Sequence, residues 1–195
     1  MKKLLLITGD IAAGKTTFSD LLARRYGVPV FQKDRVKEVM TDVLGFQGRA
    51  ESKALSKAAV EVMGHIFAGL AAAGGDLVLE ANFREAELEK LQAMAEEQGY
   101  RVLTLVLYGD GEVLHQRYLR RAREENRHPV HLTNPLEDKE EFLALARWVR
   151  EEPVPGEKLV IEASDFSYQE DPNILAKVDA FMKDEQISGK ETEKE

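Results

Sequence analysis

A glycine-rich segment near the beginning of the chain carries residue types that bind phosphate. It reads G-x-x-x-x-G-K-T, follows a short apolar run and opens an amphipathic helical pattern. In this order of strand, loop and helix, the backbone N–H groups of the loop and the helix N-terminus surround a phosphate. Lys15 would contact the β- and γ-phosphates, and Thr16 would offer its hydroxyl to Mg²⁺. The sequence therefore predicts a nucleotide site formed by Gly9, Asp10, Ile11, Ala12, Ala13, Gly14, Lys15, Thr16 and Thr17.

The second predicted strand ends at Gln32 and is followed by charged residues. Because ligands gather outside the carboxyl ends of parallel strands, Asp34 should lie at the same sheet edge as the glycine loop. A carboxylate there can accept the proton of an attacking hydroxyl or help to hold Mg²⁺. Lys33, Arg35 and Lys37 could bind an anionic substrate. The alternative interpretation makes Asp34 the N-cap of the next helix, which would still place it at the mouth of the site.

The third predicted strand ends at Glu80, which is followed closely by Asn82 and Arg84. By the same strand-end reasoning, Glu80 is a candidate magnesium ligand together with Thr16, either directly or through a bound water. Asn82 and Arg84 are candidate substrate-binding residues. Asn82 could instead cap the following helix.

An arginine-rich helical segment follows the fourth predicted strand. Between residues 115 and 128 there are five arginines and two glutamates, although the whole chain has a net charge of −8. Arg117 and Arg121 are four residues apart and would share one helix face, and Arg127 lies further along. Guanidinium groups suit phosphoryl oxygens, so we expect at least one of Arg117 and Arg121 to contact the transferring phosphate in the closed state, with Arg127 as a further candidate for binding the substrate. The alternative is a solvated helix face.

Two histidines, His128 and His131, flank Pro129 in a predicted loop after this segment. Mg²⁺ prefers oxygen ligands, and no acid lies near the pair at a suitable spacing. We therefore expect them to shape the loop or to contact substrate.

Apolar runs that alternate with helical patterns predict an α/β fold with a mostly parallel sheet. The predicted strands span residues 3–8, 28–32, 76–81, 101–108 and 158–163. The predicted helices span residues 15–26, 34–44, 52–73, 85–98, 111–125, 138–151 and 172–183. Residues 1–183 are expected to form a single domain, and residues 184–195 a flexible acidic tail.

Composition restricts the function classes. The 195 residues include no cysteine, which excludes disulfides and thiolate chemistry and fits a cytoplasmic location. The acidic net charge argues against binding to extended nucleic acid. No run of about 20 apolar residues predicts a membrane span. Oligomeric state is not predicted.

With these residues identified, the chain resembles the small P-loop kinases often labelled AAA-type ATPases, which include polynucleotide 5′-kinase domains, zeta-toxin-like kinases and chloramphenicol phosphotransferase. The resemblance covers residues 2–167. It implies a three-layer fold with a five-stranded parallel sheet in the order 2-3-1-4-5. It also implies a helical substrate cap (about 45–75), a mobile lid (about 112–135) that carries the arginines, and Asp34 as the base that activates a hydroxyl.

The chain departs from the family pattern at a few positions. Asp10 places a negative charge inside the loop, so it must be paired or point away from phosphate. Lys37 stands where arginine is usual and cannot form a bidentate fork. Val130 replaces glycine in the segment that otherwise reads R-H-P-G-H.

The predicted function is transfer of the γ-phosphoryl group of Mg²⁺-bound ATP to a hydroxyl of a small-molecule or nucleotide-like acceptor. One alternative is a nucleoside monophosphate kinase, whose ionised acceptor would not need the carboxylate of Asp34. A second alternative is a non-catalytic nucleotide-dependent switch or binding module. The sequence does not identify the acceptor.

Overall fold

A computed structural model describes residues 1–124, 127–133 and 137–183, apart from the side chain of residue 148. The predicted tail, 184–195, and parts of the predicted lid, 125–126 and 134–136, lie outside the described residues.

The first strand, β1 (Lys2–Gly9), lies at the centre of the molecule. Leu4, Leu5, Leu6 and Ile7 are all fully buried. Leu4 and Leu6 pack in one apolar cluster, whereas Leu5 and Ile7 pack in another. Because successive side chains of a strand point to opposite faces, this run is apolar throughout and forms the middle layer of three.

All five strands are parallel and their order is β2-β3-β1-β4-β5, which confirms the predicted sheet. The register pairs Ile7 and Gln32 with Glu80, and Gly9 with Leu107. The carboxyl ends of β1, β2 and β3 therefore meet at one edge. The other strands are β2 (Val30–Gln32), β3 (Leu77–Glu80), β4 (Tyr100–Tyr108) and β5 (Lys158–Glu162).

Helices cover both faces of the sheet. Residues of α1, α5, α6 and α7 join the cluster around Leu5, and residues of α3 and α4 join the cluster around Leu4. The bounds are α1 (Lys15–Tyr26), α2 (Lys33–Leu44), α3 (Gly48–Ala73), α4 (Glu85–Glu97), α5 (Gly111–Glu124), α6 (Lys139–Glu151) and α7 (Pro172–Lys183).

Helix α3 is long and apolar enough to pass a length-and-composition test for a membrane span, which is weak support because core helices pass the same test. Its apolar residues Met63, Phe67 and Ala71 are fully buried against the sheet, so packing within the chain accounts for them. Helix α3 also begins earlier than the sequence pattern indicated, at Gly48, which adds a turn that faces the cavity described below.

Candidate active site

The glycine loop between β1 and α1 depends on two glycines. Gly9 has a φ of +121°, and a Cβ there would lie 1.9 Å from the carbonyl oxygen of Leu107. Gly14 has a φ of +84°, and its Cβ would lie 2.7 Å from the hydroxyl oxygen of Tyr168. That hydroxyl donates to the carbonyl of Ala13 at 3.0 Å. Backbone conformation and close packing thus both require glycine at these positions.

The side chain of Lys15 curls back into this loop. Its Nζ donates to the carbonyl oxygens of Gly9 at 3.1 Å and Asp10 at 2.7 Å, and the residue is only 7% exposed. Burial lowers the pKa of Lys15, and the negative charges of Glu80 and Asp34 oppose this shift. An anion in the loop would compensate the buried ammonium group.

Thr16 and Glu80 meet at the carboxyl end of β3. The Thr16 hydroxyl donates to Glu80 Oε2 at 3.0 Å. Burial raises the pKa of Glu80, which is 5% exposed, and Lys15 opposes this shift. The described residues contain no cluster of three or more His, Cys, Asp or Glu side chains that could hold a metal by itself. A hydroxyl and one carboxylate beside a phosphate site nevertheless fit Mg²⁺, which keeps waters and substrate oxygens among its ligands.

Asp34 lies in the first turn of α2, whose N-cap is Gln32, so Asp34 is not the N-cap. It lines the same cavity as Lys15 and Thr16, a space of about 670 Å³. Burial raises the pKa of its carboxyl, but Lys33, with Nζ at 3.4 Å, and His131 outweigh this effect, so that the pKa lies below its usual value. The group is therefore an ionised carboxylate at neutral pH.

The charge of Asp10 is neutralised by an arginine from a distant part of the chain. Arg150, near the end of α6, donates from Nη2 to Asp10 Oδ2 at 2.6 Å and from Nε to the same oxygen at 3.0 Å. The N–H of Gly109 donates to Asp10 Oδ2 at 3.1 Å. The carboxylate is thus held behind the loop. No local pattern could identify a partner 140 residues away.

The guanidinium group of Arg117 contacts backbone carbonyls in this structure, and the phosphate contact of Arg117 or Arg121 in the closed state stays a prediction. It donates to the carbonyl oxygens of Ala12 at 3.0 Å, Ala163 at 3.2 Å and Ser164 at 2.7 Å. It also lies 4.3 Å from the ring centroid of Phe166. Arg117 lines the cavity but connects the glycine loop to the segment after β5.

Arg121 and Arg127 line the cavity together with Asp34. Nearby, a short 3-10 helix (Pro129–His131) packs on α2, where His131 Nε2 lies 2.8 Å from Glu38 Oε1. His128 Nε2 lies 3.0 Å from Asp42 Oδ1 in the same way. The two histidines therefore fasten the described part of the predicted lid to α2.

The remaining predicted substrate residues also line the cavity, and each has a partner within the chain. Lys37 donates to the hydroxyl of Ser52 at 2.8 Å, and Arg84 forms an ion pair with Glu152 at 2.9 Å. Asn82 donates to the carbonyl of Gly9 at 2.9 Å and does not cap α4, whose N-cap is Arg84. Arg120, from the arginine-rich segment, also lines the cavity. Other polar residues of the lining, all on α3, were missed because isolated polar residues on a helix give no sequence signal; these are Arg49, Ser52, Lys53 and Ser56.

A protein-family model described as AAA domain matches residues 4–169. No curated protein matches the chain. Among solved structures, a candidate kinase from Chloroflexus aurantiacus is 28% identical, with coverage of 91% of this chain and 96% of the other and a TM-score of 0.78.

Two more distant structures share the fold. A gluconokinase from Sinorhizobium meliloti is 14% identical, with coverage of 93% of this chain and 94% of the other and a TM-score of 0.60. A shikimate kinase from Bacteroides thetaiotaomicron is 17% identical, with corresponding values of 93%, 98% and 0.58. Because the family model covers most of the chain and the fold is that of these kinases, the chain belongs to the AAA domain family as one of its small P-loop kinases.

Proposed function

We propose that this kinase transfers the γ-phosphoryl group of ATP to a hydroxyl of a small-molecule acceptor. The observation that carries the proposal is the position of Asp34, an ionised carboxylate in the same cavity as Lys15 and Thr16. A phosphate acceptor is already ionised and gains nothing from a neighbouring carboxylate. Asp34 therefore favours a hydroxyl acceptor over a nucleoside monophosphate.

The donor nucleotide would bind in the glycine loop. The loop N–H groups and Lys15, turned outward from its carbonyl partners, would hold the β- and γ-phosphates. Thr16 and Glu80 would hold Mg²⁺. When bound, the ion neutralises charge on the phosphate oxygens and orients them. Burial raises the pKa of Glu80 although Lys15 opposes the shift, so a bound divalent cation would further stabilise the ionised carboxylate.

Asp34 would orient the acceptor hydroxyl toward the γ-phosphorus. As the hydroxyl oxygen forms its bond to phosphorus, the bond between the γ-phosphorus and the bridging oxygen breaks, and ADP leaves. The hydroxyl proton passes to Asp34. The low pKa of Asp34 keeps it able to accept this proton throughout the neutral range.

Arg121 and Arg127, which line the same cavity, would stabilise the charge on the transferring group. Arg117 would fix the shape of the donor site through its carbonyl contacts. A phosphate contact by Arg117 would require these hydrogen bonds to break on closure.

The experiment is an ATP-consumption screen over nucleosides, sugars, aminoglycosides, phenicols and 5′-hydroxyl oligonucleotides, followed by variants tested on the best acceptor. Asp34→Asn should lower kcat about 10²- to 10⁴-fold and leave ATP affinity unchanged. Lys15→Ala should weaken ATP binding and abolish transfer. Glu89→Gln, an exposed acid outside the cavity, is the control. Wild-type transfer by Asp34→Asn would refute its role as the base.

A further inference from the structure

The cavity is strongly cationic in a chain that is acidic overall. Its described lining includes ten lysines and arginines but only two carboxylates, Asp34 and Glu80. The net charge of the whole chain is −8, so this excess is local. A magnesium-bound triphosphate would compensate only part of it. Arg84 is also compensated, by its ion pair with Glu152. The positive charge on α3 and at Lys37 requires another explanation.

Part of the excess lies on α3, on the wall formed by the predicted cap. Arg49 and Lys53 are four residues apart and line the cavity together with Ser52 and Ser56, so these residues share a face of the helix. Among the described residues, neither Arg49 nor Lys53 forms a hydrogen bond or an ion pair. By contrast, Lys90 on α4 pairs with Glu61 at 2.6 Å.

Lys37 adds an independent observation. It is 5% exposed, lines the cavity, and donates to the hydroxyl of Ser52 at 2.8 Å and the carbonyl of Val130 at 3.5 Å. Both partners are neutral, and none of the described carboxylates lies within ion-pairing distance of it. A buried ammonium group is costly unless an anion compensates it. Ser52 joins this buried lysine to the wall that carries Arg49 and Lys53.

We propose that the acceptor carries an acidic group, a carboxylate or a phosphate monoester, in addition to the hydroxyl that is phosphorylated. Arg49 and Lys53 bind this group, and Lys37 supplies charge behind it. The proposal rests on the proposed function, since it places the acceptor beside Asp34. It makes the cap wall the determinant of specificity: the acidic group anchors the acceptor on α3, and its hydroxyl faces Asp34.

The test is calorimetric titration of the full chain in the presence of Mg²⁺ and AMPPNP, a non-hydrolysable ATP analogue that occupies the loop. Malonate and inorganic phosphate are the two anion probes, and their relative affinities distinguish a carboxylate site from a phosphate site. Arg49→Ala and Lys53→Ala should each weaken binding of the preferred anion about tenfold, as expected for the loss of one charged hydrogen bond. Both residues are exposed, so these variants should fold.

Lys57→Ala is the matched control, because Lys57 lies one turn further along α3, is exposed and is outside the cavity lining. It should bind the anion like the wild type. Equal anion affinity in wild type, Arg49→Ala and Lys53→Ala, or no anion binding at all, would overturn the proposal. Failure of AMPPNP to bind would instead count against the proposed function. The two failures can be told apart, because the difference in anion affinity between the α3 variants does not depend on nucleotide binding in the loop.

A transfer assay provides the second measurement. Paired acceptors that differ only in the acidic group are compared, such as glycerate with glycerol and ribose 5-phosphate with ribose. The acidic member should have a kcat/KM at least about tenfold higher, and Lys53→Ala should remove this advantage mainly through KM. Better transfer to the neutral member of each pair would contradict the inference.

Discussion

The ion pair between Asp10 and Arg150 offers a sharp test of how the glycine loop is held in shape. Asp10 is 1% exposed, and its carboxylate accepts a two-pronged hydrogen bond from Arg150 and a third bond from the Gly109 N–H. Arg150→Ala removes the fork and leaves the carboxylate buried with one neutral donor. The backbone carbonyl of Asp10 also accepts a hydrogen bond from Lys15. Loss of the Arg150 ion pair should therefore disturb the phosphate site directly.

The size of the effect follows from burial. Removing one member of a fully buried pair costs about 3–5 kcal/mol. The side chain of Arg150 is 40% exposed, so water can partly replace it, and we expect a loss of about 2–3 kcal/mol. For a domain of this size, that corresponds to a decrease in Tm of about 5–10 °C. A less rigid glycine loop should also weaken ATP binding, because binding must then pay a larger entropy cost to order the loop.

A double-mutant cycle measures the pair. Urea unfolding gives the free energies of wild type, Arg150→Ala, Asp10→Asn and the double variant, and nucleotide titration gives the ATP affinities. The amide introduced by Asp10→Asn carries no charge but can still accept from Gly109, so Arg150→Ala should be less destabilising in that background by about 1–2 kcal/mol. Arg147→Ala, which removes an exposed arginine on the same helix, is the control and should change stability by less than about 0.5 kcal/mol.

Two results would refute this reasoning. If Arg150→Ala unfolds with the wild-type free energy, the pair does not stabilise the fold. If the losses from Asp10→Asn and Arg150→Ala are simply additive, the two side chains do not interact, whatever their distance.

Two further predictions concern stability. Gly9→Ala should lower the free energy of unfolding by about 3 kcal/mol or more in a urea titration, because the φ of Gly9 is positive and an added Cβ would collide with Leu107. The control is Gly69→Ala, in open space on α3, which should be neutral or stabilising. Equal effects of the two substitutions would contradict this explanation. The pKa of Asp179 is held at about 2 by Arg25, below its ordinary 3.8, so Asp179 stabilises the fold above about pH 4 and this contribution is lost as pH falls toward 2. Asp179→Asn should therefore cost about 1 kcal/mol at pH 7, after discounting for solvent screening, and the difference from wild type should shrink toward zero as the pH falls below about 2. A difference that does not change with pH would exclude the ion pair as its cause.

Much of the fold could be predicted because its signals are local. The loop motif depends on residue types at fixed spacing, and the strands are short apolar runs between helical patterns. The predicted ends were less accurate: β2 starts at Val30 instead of residue 28, and α3 starts at Gly48 instead of residue 52. The start of a helix also depends on packing against distant segments, such as the hydrogen bond from the Ser52 hydroxyl to the carbonyl of Val130 at 2.9 Å, and a periodic pattern does not encode such contacts.

The order of residues along the chain is enough to specify the chemistry available at the sheet edge: Lys15 and Thr16 in a phosphate loop, with Asp34 and Glu80 close to the ends of the neighbouring strands. Their convergence follows from a parallel sheet, whose carboxyl ends share one edge. Only the folded structure shows how charged residues that are far apart along the chain are paired. Packing turned Asp10 toward Arg150, committed Arg117 to backbone carbonyls, and left Lys37 without a carboxylate partner among the residues described. These outcomes depend on distances between side chains that lie far apart in sequence. Electrostatic energies depend on such distances and on burial, and the spacing of residues along the chain specifies neither quantity.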